Sequence, residues 1–162
     1  MKQECSKEIN DNPGVFIPPP LCYVAVFVAA VFLQRQLPIN KGHFAEQVSS
    51  YLGFIFVAIG MALIVVSLRQ FFITKNTLIT IRPALSLQTH GIYSITRNPM
   101  YLGLVNLYLA VTCFIGSWWN IILFPFLIII VQEYIIKREE RYLARRFGQD
   151  YLNYKKEVRR WI

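Results

Sequence analysis

Ser49 to Leu68 reads SSYLGFIFVAIGMALIVVSL, twenty residues without one charge. A bilayer core of roughly 30 Å is crossed by about 20 residues of apolar helix, so this stretch predicts a span over residues 49–70 and, with it, a membrane protein. Downstream, Trp118 to Ile136 (WWNIILFPFLIIIVQEYII) predicts a span over 118–136, and Met100 to Gly116 a shorter one over 100–116, the two joined as a helical hairpin at Gly116-Ser117. Upstream, a span is expected over 15–34, with Pro18, Pro19 and Pro20 confining the regular helix to the part after them. A cleaved signal peptide is disfavoured there, because Glu4, Glu8 and Asp11 spoil a basic n-region and no small-residue cleavage site follows.

Composition agrees with this reading. The 162 residues are 55% hydrophobic and only 16% charged, with a mean hydropathy of +0.41, too apolar for a soluble domain of this size and excluding disorder. A net charge of +8 does not by itself make a nucleic-acid reader, and no nucleic-acid partner is expected. Cys5, Cys22 and Cys113 are odd in number and read as buried small apolar residues, which excludes a disulfide scaffold. With His43 and His90 the only imidazoles, no metal site is expected.

Four spans place both termini on one side of the bilayer. The N-terminus, the Arg69–Arg97 loop and the C-terminal tail then carry 15 of the 17 basic residues, so by the positive-inside rule all three face the cytoplasm. The tail from Lys137 to Ile162 is not a fifth span, because charges recur every few residues. Ile136, Leu143, Phe147, Tyr151, Tyr154 and Val158 recur at steps of three, four or seven, predicting an amphipathic helix, interrupted at Gly148, that can lie at the headgroups of anionic lipid. The fold class is therefore all-α: a polytopic membrane protein of four transmembrane helices with amphipathic cytosolic C-terminal helices. Residues 1–14 form a cytosolic segment and 15–162 one membrane domain. No feature marks an oligomeric state.

Anchoring leaves the loop over 74–99 unexplained. Its length suggests a binding loop or lid. It holds the β-branched stretch Thr77 to Ile81, then Arg82-Pro83, a bend at Gly91, and Asn98-Pro99 as N-cap and first residue of the third helix. Tyr93, Arg97, Asn98 and Tyr101 lie at the start of the third span, and Glu139 and Glu140 one turn past the end of the fourth, so the hairpin brings them to one membrane face. Glu133, Lys137 and Glu140, at i, i+4 and i+7, would form one ionisable edge on a continuous helix. An ionisable group at membrane depth is costly enough to make Glu133 a functional candidate.

Arg97-Asn98-Pro99-Met100-Tyr101-Leu102-Gly103, followed by Glu139-Glu140-x-x-Leu143-x-x-x-Phe147-Gly148-x-x-Tyr151-x-x-Tyr154, resembles the isoprenylcysteine carboxyl methyltransferase family and its phospholipid methyltransferase relatives over about residues 50–160. That resemblance implies small integral-membrane enzymes whose S-adenosyl-L-methionine lies in a cytosol-facing pocket built by the last spans, their connecting loop and the C-terminal helices. It implies cofactor contacts at Ser86, Leu87, Gln88, Tyr93, Asn98, Pro99, Met100, Tyr101, Glu139 and Glu140. The residue types suit this: a carboxylate for the ammonium and ribose hydroxyls, helix N–H groups for the carboxylate, an apolar and aromatic wall for adenine.

Two departures matter. The eukaryotic carboxyl methyltransferases usually carry His where this chain has Asn98, whose amide hydrogen-bonds but does not titrate. A G-x-G like that of the phosphatidylethanolamine methyltransferases is missing, which argues against the phospholipid branch. The expected activity is methyl transfer to a lipophilic acceptor entering from the bilayer, nearest to carboxyl O-methylation. A carboxylate acceptor needs no base, only orientation, burial and a cation, for which Arg97, Lys137 and Arg138 are candidates; Glu140 completes the catalytic set of Arg97 and Arg138. A thiol or amine acceptor would need Glu133, Glu140 or a tyrosine to take its proton, or its anion must form in solution. The alternatives are a membrane reductase using a nicotinamide cofactor, whose extra phosphates ask for more cations than Lys75, Arg82 and Arg97, and a non-catalytic adaptor acting through the basic tail.

Overall fold

The computed structural model describes residues 14–39, 46–74 and 86–161, and among them every regular element is helical. In chain order these are α1 (Pro19–Gln36), α2 (Glu46–Ile73), a 3-10 turn (Gly91–Ser94), α3 (Pro99–Ile115), α4 (Trp118–Ile130), a π-helical segment (Val131–Ile136) and α5 (Lys137–Glu157). Among the described residues, three helical stretches are long enough and hold an apolar window sufficient to cross a membrane: α1, residues Gln47–Ile73 of α2, and the run Trp118–Glu157, whose apolar part is α4 with the π segment and whose charged part is α5. The shorter apolar helix α3 packs among them. Four apolar helices are thus present among the described residues. The stretch from Thr77 to Pro83 lies outside the described residues.

Helix starts follow from proline. Pro19 and Pro20 occupy the first turn of α1, where the missing N–H groups would have no intrahelical partner in any case. The regular helix therefore includes two of the three prolines, and Val15 to Pro18 precede it as non-helical chain. Pro99 opens α3 by the same logic, and Gly116, at φ 64°, ends it in a left-handed turn before α4 begins at Trp118. Across that hairpin the Tyr108 hydroxyl donates to the Asn120 carbonyl at 3.1 Å, and its ring stacks on Phe124 at 5.9 Å.

Tyr23, Tyr101, Tyr108, Leu127, Val131, Ile135 and Ile136 form the core of the bundle. Phe54, Val65, Phe126 and Ile129 point outward and stay exposed, as a lipid-facing surface requires. Where lipid is as apolar as the side chains, close van der Waals packing holds helices together. Gly60 and Gly103 supply it between α2 and α3: a Cβ on Gly60 would stand 2.9 Å from the Gly103 carbonyl oxygen, and one on Gly103 would stand 2.6 Å from Ile64. Gly60→Val should force the two backbones apart and cost about 2 kcal/mol of overpacking. A thermal melt of the detergent-solubilised protein that matched the parent would disprove this.

Two expectations about the last helix need correction. The π segment, in which the Lys137 N–H donates to the Gln132 carbonyl five residues back, holds one residue more than α pitch requires. One residue is about 100° of rotation, so Glu133, Lys137 and Glu140 do not share an edge. Glu133 pairs outward with Lys137 at 2.6 Å, both side chains about half exposed (49% and 47%), while Glu140 is buried at 8%. The tail is helical and breaks at Gly148, at φ 53°, but its apolar stripe does not lie free for lipid. Tyr151, Tyr154 and Val158 are buried against Leu87, Leu143, Ala144 and Phe147. Arg141, Arg145, Lys155, Lys156 and Arg159 stay exposed on the other flanks.

Candidate active site

At the end of the bundle where α3 begins and α4 runs into α5, two chambers meet. The larger, about 490 Å³, is lined by Val15, Phe16, Pro18 to Pro20, Ile64, Pro99, Met100 and Leu104 and is mostly apolar. The smaller, about 120 Å³, is lined by Phe71, Ser86, Leu87, Gln88, Glu140, Leu143, Tyr151 and Tyr154. Tyr93, Arg97, Asn98 and Glu139 belong to both and form the wall between them, and Tyr101 closes the apolar side. Ligand sites run to about 300–1,000 Å³, so the smaller chamber alone falls short of that range and the two together lie within it.

Each wall residue is held from a different direction. Tyr93 sits in the 3-10 turn that Gly91 starts at φ 63°. Its ring meets Phe71 of α2 edge-on at 6.0 Å, and its carbonyl accepts the Tyr154 hydroxyl at 2.6 Å. Burial raises the Tyr93 hydroxyl above its usual pKa, so it stays protonated and neutral. Asn98 occupies the N-cap position of α3 without capping it: its side-chain amide donates to the Arg160 carbonyl at 3.1 Å. Thr96 Oγ1 donates to the same carbonyl at 3.1 Å, and the Arg97 N–H to the Arg159 carbonyl at 3.0 Å. The end of the chain is thus strapped across Thr96 to Asn98.

The two neighbouring glutamates have different surroundings. Glu140 accepts two bonds from Arg160, at 2.9 and 2.8 Å, lies 3.1 Å from Arg97 Nη1 and 3.5 Å from Lys155. Burial by itself would raise its pKa, but the Arg160 bonds and the Arg97, Arg160 and Lys155 charges outweigh it and hold Glu140 below the ordinary carboxyl range. Glu139 faces the chambers. It accepts the Tyr101 hydroxyl at 2.7 Å, and burial, reinforced by the Glu140 charge against the Tyr101 bond, lifts it to about 7. Arg97 also donates to the Tyr151 hydroxyl at 3.3 Å, yet its buried Nε has no partner among the described residues.

All ten of the residues expected to touch a cofactor line one chamber or the other, as does Arg97. Gln88 and Ser86 hold one another at 3.0 Å on the far wall. Arg138 is not brought to the chambers: its Nη1 donates to the Gly14 carbonyl at 3.0 Å and its guanidinium lies over the Tyr134 ring at 4.4 Å. Lys137 and Glu133 face outward together. Sequence reasoning passed over Val15, Phe16 and Arg160. The first two are apolar residues before a proline run, and Arg160 is one of nine basic residues in the tail; only the fold singles them out.

The residues present fit the chemistry of a nucleoside-type methyl donor. A chamber-facing carboxylate and an aromatic wall of Phe71, Tyr93, Tyr151 and Tyr154 supply an anionic partner and a stacking surface. A family profile described as phospholipid methyltransferase matches residues 48–150. An uncharacterized protein of Haemophilus influenzae is 41% identical over 66 residues, 39% of this chain and 100% of that protein. No solved structure matches. Because the profile spans well over half of the sequence and covers most of the walls of both chambers, the chain belongs to the phospholipid methyltransferase family and is a membrane methyltransferase.

Proposed function

We propose that the protein is an S-adenosyl-L-methionine-dependent methyltransferase acting at the cytoplasmic face of a membrane on a lipophilic acceptor, nearest in kind to carboxyl O-methylation. The observation that carries this reading is the shared wall: Tyr93, Arg97, Asn98 and Glu139 stand between a polar-lined chamber and an apolar one. The apolar chamber continues through Pro20 and Leu104 into a groove of about 290 Å³ between α1 and α3, lined by Tyr23, Val24, Phe27, Leu107 and Val111. A hydrocarbon chain suits that groove, and a charged donor suits the other side.

The bound cofactor would supply the electrophilic methyl. Glu139 would hold its positive end by charge; Tyr93, Phe71 and Tyr151 would give a stacking surface, and Gln88 and Ser86 hydrogen bonds to hydroxyls. On the acceptor side, Arg97, which lines both chambers, would orient a carboxylate by its charge, while apolar walls would exclude water. A nicotinamide dinucleotide brings several phosphates, and Arg97 is the one cation among the described residues that line the polar-lined chamber. The basic residue distribution supports the cytoplasmic placement.

Calorimetry on the purified protein in nanodiscs should detect S-adenosylmethionine and its demethylated product with micromolar affinity. Incubation with the methyl-labelled cofactor and a total lipid extract should yield one labelled, organic-soluble product, base-labile if it is an ester. A folded protein that binds neither compound would remove the proposal.

A further inference from the structure

The family match begins at residue 48, yet part of the apolar chamber is built by residues that precede it. Val15 is 2% exposed and packs into the core with Tyr23, Tyr101 and Ile135. Phe16, 73% exposed, stands at the same wall, so it borders the chamber and the outside at once. Gly14 turns the chain at φ 66°. Its carbonyl is held by Arg138, whose guanidinium is itself fixed over Tyr134. The three prolines that follow stiffen the return into α1.

We propose that Gly14–Pro20 is the acceptor-specificity element of this enzyme, a clasp over the apolar chamber latched by Arg138. This rests on the methyltransferase reading above. Arg138 is a positioning residue: it touches neither chamber and acts through the Gly14 carbonyl. Walls within residues 48–150 belong to the stretch the family profile matches, whereas this wall does not, so the selection of chain length and branching that is this protein's own falls to Val15 and Phe16. The occupant is a lipophilic chain ending in a small polar head, because the chamber is apolar up to the Arg97–Glu139 wall.

The test uses the full chain in nanodiscs and a photoprobe made of a C15 isoprenoid chain carrying a benzophenone and a terminal carboxylate. Photolabelling reports occupancy without catalysis. In the parent, peptide mapping should find label on residues 15–20 and on the start of α3. Arg138→Ala and the surface variant Phe16→Ala should each lower labelling of 15–20 by about fivefold. Using the probe's parent isoprenoid carboxylate as acceptor, both should raise its KM about tenfold with kcat within about twofold, and leave binding of the demethylated cofactor unchanged.

Unaltered labelling and KM in both variants would overturn the clasp, and so would a loss of kcat at constant KM, which marks a merely structural Arg138. If this carboxylate accepts no methyl, the carboxyl O-methylation reading fails by itself. Label on 15–20 that still depends on Arg138 would then uphold the clasp, and its absence would sink it.

Discussion

Glu140→Gln should cost about 3 kcal/mol of stability and loosen the end of the chain from the mouth of the third helix. The substitution keeps the shape of the side chain and removes its charge. Arg97, with a side chain 9% exposed, and Arg160, at 24%, would keep theirs, leaving one buried guanidinium uncompensated. Lys155, at 45%, contributes little, since an exposed partner is screened by water. Because Arg159 and Arg160 supply the carbonyls that hold Thr96, Arg97 and Asn98, the loss reaches the wall between the chambers, and cofactor affinity should fall with stability.

The sign with pH follows from the lowered carboxyl. The stabilisation is fully present above the unfolded-state value of about 4.5 and is lost as pH falls through the folded value below it. Melting curves of the two proteins side by side check both points: Glu139 acts equally in each, so the gap between parent and Glu140→Gln should be widest above pH 4.5 and should narrow as pH falls below it. A variant that melts with the parent at pH 7 would show that the cluster is idle.

Glu139 responds to pH in the opposite sense, and its substitution is the second large effect. Its folded value of about 7 lies above the unfolded 4.5, so the folded protein keeps a proton there that the unfolded chain has lost. Stability therefore declines as pH climbs from about 4.5 to about 7, and the full cost is present above that. On the methyl-donor reading proposed above, the positive end of the donor would offset the charge of ionised Glu139. Affinity for S-adenosylmethionine should thus rise about tenfold between pH 6 and pH 8, and Glu139→Gln should remove the slope, binding at every pH as weakly as the protonated parent. The same variant should gain stability at pH 8. Titration calorimetry across that range decides it; an unchanged slope in Glu139→Gln would mean that another group controls donor binding.

The parts of this molecule written in local chemistry were readable in the sequence. Uncharged apolar runs announced the helices that cross the bilayer, Pro99 and Gly116 marked both ends of α3, and Gly148 marked the break in the tail. The residues of the shared wall were legible as well, because a hairpin returns the start of α3 to the end of the fourth span. What stayed hidden depended on rotation and on long-range closure. Nothing in Val131 to Ile136 (VQEYII) signals a π segment, so the outward turn of Glu133 and the division of labour between Glu139 and Glu140 had no local sign. Arg138 looked like an acceptor cation until Gly14 was found against it, and Asn98 like a cap until Arg160 was. Each is a contact between residues more than 60 positions apart, which no window of sequence contains.

The unbroken run from Trp118 to Phe147 ties bilayer mechanics to chemistry. From Trp118 to Glu140 it extends about 33 Å at 1.5 Å per residue, and a helix meets a thicker or thinner bilayer by tilting. A tilt of about 10° moves the far end of such a rod by about 6 Å, more than the reach of any hydrogen bond. Turnover is therefore expected to change with the acyl-chain length of the surrounding lipid, which assays in nanodiscs of graded thickness would check.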